Sequence, residues 1–451
     1  GLFSIAAGFA SLLIEIRKEH KASGAAPHTL AQIFHSVLVK LDTETDDAQR
    51  IVLFLDPEKL SPPASIPLLR TMWKMGFPPK TRLVVAQRPE DSLISAVKQR
   101  ELEELCVEPL YLKRTSKDED LEFVRVYGNS QKIDLSAQDI FLERYGGWPL
   151  FLLLALEELQ EFEFDVTREI IEKLPETIDD FWNERYQKIQ KKESRIFVQT
   201  VCMLPHPYPI NRLARFLDLS PSEIDLAWND HDIWRILERQ DYYEPFSGTV
   251  VEACPYPRHA TAQDHVLRGL EDYEDLYQQR ISAIISNYRT IIGTDLEGGK
   301  VDRDALVYLP YFLSLGYFWE AFFTELHRLG PVKMRYGLLS SQEYDLCLAL
   351  DLIEGVNQEE LDIEDARVIN DLKARSFGHL GLIYDGWSEF DSAREMYQEA
   401  LKIHKKSDDK EGLAGQFCNL GSTYAQQGYL QKADALFKKS QTDVQKNTGY
   451  Q

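Results

Sequence analysis

Apolar and polar side chains follow two different periods along this chain. His28 to Leu41 (HTLAQIFHSVLVKL) spaces its apolar residues three and four apart, the period of an amphipathic helix. Ile51–Leu55 (IVLFL) and Arg82–Ala86 (RLVVA) are instead short unbroken apolar runs. Each is too short for a helix and too apolar for an edge, which predicts strands buried on both faces of a parallel sheet. Helical patterns at 2–19, 65–75 and 92–104 flank them, and Cys106–Leu112 (CVEPLYL) predicts a third, more exposed strand. Strands and helices alternating at this spacing predict a parallel sheet with right-handed crossovers.

Beyond about residue 117 the strand pattern fades. Helices are predicted at 118–126, 136–145 and 149–161, from Thr167, and at 176–191. Residues 192–275 form a mixed block: helical SRIFVQTVCML, the turn PHPYP, then helical INRLARFLDL and IDLAWNDHDIWRIL. Ser220, with Glu223 three residues on, is an N-cap signal before the last of these. The β-like pieces DYYEPF and TVVEAC follow, then the helix TAQDHVLRGL. Three helices with a small β-ribbon is the winged-helix pattern. A DNA-reading version needs Lys and Arg on its third helix; Asp225, Asp230 and Asp232 stand there instead, which favours packing against protein.

Residues 276–362 are helical and aromatic-rich around LPYFLSLGYFWEAFF, and read as a helical connector. The last ~80 residues repeat. Leu380-Gly381 and Tyr384 recur as Leu420-Gly421 and Tyr424, an interval of 40 residues; Ala393 matches Ala433, and Tyr397 matches Phe437. Small residues where helices touch and aromatics where they need filling are what stacked helical hairpins require. The pattern resembles the tetratricopeptide repeat, whose usual period is about 34 residues. The longer interval implies extended helices or a longer loop. At least three units are normally needed for a continuous core, so the connector is expected to cap the stack unless further repeats follow.

Composition narrows the function. The chain has 451 residues, with 51 Lys+Arg against 73 Asp+Glu, a net charge of −22. That balance argues against nucleic acid and against anionic membranes as the main partner. Five widely spaced cysteines without a CxxC pair predict reduced, mostly buried thiols, no structural metal and a cytoplasmic setting. No run of about 18 apolar residues predicts a membrane span. The chain opens on Gly1 rather than Met, as a fragment or processed product does. Its first stretch, GLFSIAAGFASLL, resembles a viral fusion peptide; without a basic flank it reads as a buried helix.

Candidate chemistry gathers at strand ends. IVLFL runs straight into Asp56-Pro57-Glu58, the arrangement that delivers a carboxylate to Mg²⁺ on a nucleotide; a turn or helix cap is the alternative. Arg88 follows the next strand, where a guanidinium can meet a terminal phosphate. Gly146-Gly147-Trp148-Pro149 opens an apolar helix; an ordinary helix–turn–helix is the alternative. In this order the pieces resemble the signal-transducing ATPases of the STAND class, which includes the NACHT and NB-ARC families, over roughly residues 1–275.

The resemblance implies ATP or ADP with Mg²⁺ as cofactor, with Asp56 as the metal-handling and catalytic acid and Glu58 beside it. It also implies Arg88 as sensor arginine and Pro149, in GGWPLFL, as support for the nucleotide base. Leu174-Pro175-Glu176-Thr177-Ile178 with Tyr186 matches a further family segment. His259 is the candidate for the diphosphate, with His265 as competitor and a structural histidine as the alternative to both.

One departure stands out: no GxxxxGK[ST] phosphate loop occurs. Either it lies outside this chain or the domain has lost it. No HExxH, GxSxG or metal-spaced cluster points to another enzyme class.

The expected fold class is therefore α/β, then mostly α. A partial NTPase-like core spans 1–115, a helical subdomain 116–191, a winged helix 192–275, a connector 276–362 and tetratricopeptide-like repeats 363–451. The expected function is a nucleotide-controlled signalling and oligomerisation switch whose repeats sense a protein, with innate immunity or self-recognition as outputs. The alternative is a non-catalytic scaffold that binds a protein through its repeats.

Overall fold

The computed structural model describes residues 38–39, 42–43, 51–55, 78–85, 114–127, 135–159, 167–205, 207–217, 219–243, 250–271, 274–298, 302–356 and 363–448. Most of these are helical. They divide into two compact units, 98–287 and a second that joins 1–97 to 288–451. Helix α10 (Glu274–Gly298) runs across the boundary.

In the second unit, β1 (Ile51–Leu55) and β2 (Thr81–Val85) pair in parallel, with Ile51 opposite Thr81 and Leu55 opposite Val85. Both carboxyl ends therefore share one edge, as two unbroken apolar runs demand. Residues 38–39 and 42–43 are helical, and Asp42 accepts a 2.7 Å hydrogen bond from the Lys80 amide just before β2. The predicted helices at 2–19, 65–75 and 92–104, and the third strand at 106–112, lie outside the described residues.

The 98–287 unit begins with α1 (Lys117–Tyr127), α2 (Leu135–Tyr145), α3 (Pro149–Leu159), α4 (Arg168–Lys173) and α5 (Ile178–Lys188). Then come α6 (Lys192–Met203), α7 (Ile210–Leu213) and α8 (Pro221–Trp228). A 3-10 turn (His231–Arg235), β3 (Leu237–Tyr243), β4 (Val250–Pro257) and α9 (Ala260–Glu271) complete it. Ser220 and Glu223 make the full reciprocal cap at α8.

Two expected helices are shorter than their patterns. INRLARFLDL keeps only one turn, because Ala214–Phe216 fold into a turn. IDLAWNDHDIWRIL breaks after Trp228: the Asp230 side chain accepts from the Asp232 amide and starts the separate 3-10 turn. Local side-chain bonding of this kind competes with the helix ladder.

Asp230 also accepts from Ser194 at 2.5 Å and lies 3.6 Å from Lys191. Burial pushes its carboxyl up. The bonds from Ser194 and Asp232 and the Lys191 charge outweigh that and hold it below the usual range. A depressed acid stabilises the fold above its unfolded value and loses that contribution as pH falls through its folded value. Asp230→Asn is therefore expected to melt lower at pH 6, yet to lose less stability than the native chain between about pH 5 and pH 3. Thermal melts across that range read it.

The further described helices of the second unit are α11 (Arg303–Leu315), α12 (Trp319–Arg335), α13 (Leu339–Glu354), α14 (Ile363–Gly386), α15 (Phe390–Lys406), α16 (Lys410–Gln426) and α17 (Leu430–Thr448). Two 17-residue helices, α15 and α16, supply the expected extension, with only short links between the helices. Each helix packs on its successor. Five of the connecting turns close identically. A residue at positive φ (Tyr317, Gly337, Ser388, Asp408 or Gly428) is followed by an amide that reaches back five residues to a helix carbonyl. This Schellman closure satisfies carbonyls that the helix end would otherwise orphan.

The 40-residue interval has a direct cause. A Cβ on Gly381 would overlap the ring of Tyr397, and one on Gly421 would stand 2.7 Å from that of Phe437. Ala393, Tyr397 and Leu420 form the buried core between the hairpins. Gly381→Ala is expected to cost about 2 kcal/mol by overpacking, and Gly421→Ala less, because Tyr397 is fully buried and Phe437 is not. Urea unfolding of the two variants checks the order.

Candidate functional site

In the 98–287 unit, named bonds bring the motif segments together. Gly147 has a φ of +90° and its amide donates to Asp120 at 2.7 Å, while its carbonyl accepts from Thr115. A Cβ on Gly146 would collide with the Leu142 carbonyl and stand 2.8 Å from Asp120. Both glycines are thus required by the turn into α3. Pro149 occupies the first position of α3, where a missing N–H costs nothing.

The LPET segment packs onto this turn. Tyr145 donates to the Pro175 carbonyl at 3.1 Å; Arg144 donates to the Leu174 carbonyl at 2.9 Å and pairs with Glu176 at 3.2 Å. Thr177 caps α5 by accepting from the Asp180 amide. Tyr186, on the same helix, accepts from Gln199 at 2.9 Å.

A charged cluster then ties α3, α5 and the end of β4 together. Arg185, 3% exposed, donates to Glu158 at 2.7 Å, and its Nη1 stands 3.0 Å from Glu157 without hydrogen-bond alignment. Arg258 donates to the same Glu157 at 2.9 Å. His259 follows Arg258 directly. Its Nδ1 accepts from the Thr261 amide at 3.2 Å, which caps α9, and lies 3.0 Å from the Thr261 hydroxyl. That hydroxyl accepts from Trp182 of α5 at 2.8 Å. His265 sets its ring edge-on to Tyr186, 6.4 Å between centroids, and burial holds its imidazole below the usual histidine range.

The structure therefore ties the LPET helix to the end of α3 and to the segment of His259 through contacts no sequence motif announces, those of Arg185, Glu157, Glu158 and Trp182, while Pro149 stands at the opposite end of α3. The unusual signal was a pair of acids, Glu157-Glu158, on an otherwise apolar helix. Asp56, Glu58 and Arg88 lie outside the described residues. The Gly146-Gly147 turn is itself closed by the Asp120 carboxylate, which takes the Gly147 amide.

A third hairpin stands in front of the two sequence repeats. Leu329-Gly330 precedes Leu380-Gly381 by 51 residues, and Ala349 precedes Ala400 by the same interval. The α12–α13 turn closes as the α14–α15 turn does, Leu338 to Lys333 as Glu389 to Tyr384. At this spacing Lys333 takes the place of Tyr384, and Gln342 that of Ala393. Both are buried, and the Gln342 amide stands against Gly330, where Gly381 meets the Tyr397 ring. The interval changes from 51 to 40 and polar residues replace apolar ones, so a fixed-period search passes it by.

Beside α13–α15 lies a cleft of about 450 Å³ lined by Lys373, Lys402 and Lys406. Glu354 and Glu399 pair with the first two lysines. Of the four described cysteines, Cys202 and Cys254 are buried, with burial pushing the Cys254 thiol up to about 11; Cys418 is exposed. Among the described residues no group of three His, Cys, Asp or Glu could hold a metal, and no helix is long and apolar enough to cross a membrane.

Residues 374–406 and 417–442 match the family model of the tetratricopeptide repeat. Those two segments are thus tetratricopeptide-like, of the class of helical hairpin that commonly mediates protein interactions. No curated protein sequence matches the chain. A solved structure, that of a Signal Transduction ATPase with Numerous Domains (STAND) protein with a tetratricopeptide repeat sensor from Pyrococcus horikoshii, is 14% identical. That comparison covers 98% of this chain and 74% of the other at a TM-score of 0.29, too loose a likeness to bear on fold or function.

Proposed function

We propose that this chain is a STAND-like signalling switch. Its α/β and helical parts read ATP or ADP, its tetratricopeptide hairpins sense a protein partner, and nucleotide exchange drives homo-oligomerisation. The observation that carries the reading is that the LPET helix is bonded both to the GGWP turn, through Tyr145 and Pro175, and to the segment that holds His259, through Trp182 and Thr261. The domain limits proposed are those read from the sequence, with 192–275 as a winged helix; its helices and β3–β4 ribbon support that assignment. Asp56 and Glu58 are proposed for Mg²⁺ and slow hydrolysis, Arg88 for the terminal phosphate, and Pro149 and His259 for the nucleotide. A cytoplasmic role in innate immunity or self-recognition accords with such a switch.

A second reading is favoured by the absence of GxxxxGK[ST] from all 451 residues: a pseudo-ATPase scaffold that binds its partner through the repeats alone. Nucleotide released on denaturing the protein, purified from its native source, separates the two. The switch predicts close to one ADP or ATP per chain and a loss of at least tenfold in His259→Ala. Protein that retains no nucleotide leaves the scaffold standing and removes the switch.

A further inference from the structure

We propose that Arg239, held between Trp228 and Trp234, is the docking point for a single carboxylate on a partner protein whose flanking residues are basic or apolar. The guanidinium carbon lies 4.4 Å from the centre of the Trp234 ring and 4.9 Å from that of Trp228. The two indoles stand perpendicular, 5.0 Å apart. Neither is loose: Trp234 donates to the Trp228 carbonyl at 3.3 Å, and Phe197 packs edge-on against Trp228. An arginine clasped this way keeps its planar fork of donors in one orientation, so little freedom is lost when an oxyanion binds.

The fork is presented rather than used. Arg239 is exposed, and among the described residues no carboxylate pairs with it. Its neighbour Glu238 accepts instead from Gln240, and Asp232 is taken by Arg235. An unmatched, immobilised guanidinium is notable in a chain with 73 acidic and 51 basic residues. Tryptophan beside arginine is also the composition of interface hot spots.

The surroundings select the partner. Asp225, Asp232, Glu238 and Asp241 stand on the same elements as the three clasp residues. They repel a polyanion such as RNA and favour basic flanks around one acid. The clasp belongs to the 98–287 unit and is independent of the repeats, so its success or failure leaves the switch reading untouched.

The test uses the whole chain with ¹⁵N-labelled tryptophan; Trp228→Phe and Trp234→Phe assign the two indole N–H signals among the seven tryptophans. The probe is a capped peptide with one glutamate flanked by lysine and leucine, beside its glutamine twin. The glutamate peptide is expected to shift both indole signals with at least tenfold tighter binding than the twin. Arg239→Gln should abolish the shift while leaving the other indoles in place, and Arg239→Lys should keep only part of it. Equal response to the two peptides, an unchanged response in Arg239→Gln, or no response at millimolar peptide overturns the proposal. So does a stronger response to inorganic phosphate or to a single-stranded RNA than to the peptide.

Discussion

Asp345→Asn is expected to destabilise the repeat stack by about 3–5 kcal/mol, the cost of leaving a buried lysine without its counter-charge. Lys333 is completely buried in the α12–α13 hairpin and donates to Asp345 and, at 3.0 Å, to Ser341. Asp345 Oδ1 and both amide atoms of Gln342 have no partner. The hairpin therefore carries an ion pair whose desolvation its bonds only partly offset. Replacing both ends by shape (Lys333→Met with Asp345→Leu) is expected to be neutral or to raise the melting point.

The acid side carries a second signature of the same pair. Burial pushes Asp345 up to about 6, against the pull of Lys333. The same burial holds the Lys333 amine below the usual lysine range, against the pull of Asp345. The two linkages oppose each other, the acid's contribution fading as pH rises and the amine's as pH falls, so the pair is tested at one pH. Equilibrium unfolding at pH 7 reads both variants, and an Asp345→Asn chain as stable as the native one would contradict the buried pair.

Arg185→Met carries the second large effect, about 3 kcal/mol, because it leaves Glu157 and Glu158 at the α3–α5 contact without the buried guanidinium that both meet. Its position over the Trp182 ring, 5.2 Å to the centre, adds to the loss. Arg258→Met is the internal comparison. Its side chain is 34% exposed and meets only Glu157, so about 1 kcal/mol is expected. Urea unfolding followed by far-ultraviolet circular dichroism separates them; equal losses would contradict the larger share given to Arg185.

Legibility in the sequence followed the range of the interaction. IVLFL and RLVVA announced two strands because a short unbroken apolar run has few other homes, and the strands at Ile51–Leu55 and Thr81–Val85 pair in parallel. Ser220 with Glu223 announced a cap because both halves of that bond lie within one turn. Gly381 with Tyr397, repeated as Gly421 with Phe437, was visible because the same contact occurs twice. The break after Trp228 was not visible: the apolar period continues through Asp230, and only its bonds to Asp232 and Ser194 stop the helix. The Arg185 cluster joins residues up to about a hundred apart and leaves no local pattern. The α12–α13 hairpin stayed hidden for a chemical reason, since Lys333 and Gln342 occupy places that apolar and small residues hold in its successors.

The C-terminal helical hairpins thus form one stack that begins before the segment matching the family model. A direct measure is the thermal unfolding of two segments, 302–448 and 363–448, followed by helix content. A single stack with its first hairpin at α12–α13 predicts that 302–448 melts cooperatively while 363–448, left with two hairpins, is largely unfolded at 25 °C. Two segments with the same helix content per residue and the same melting point would contradict it.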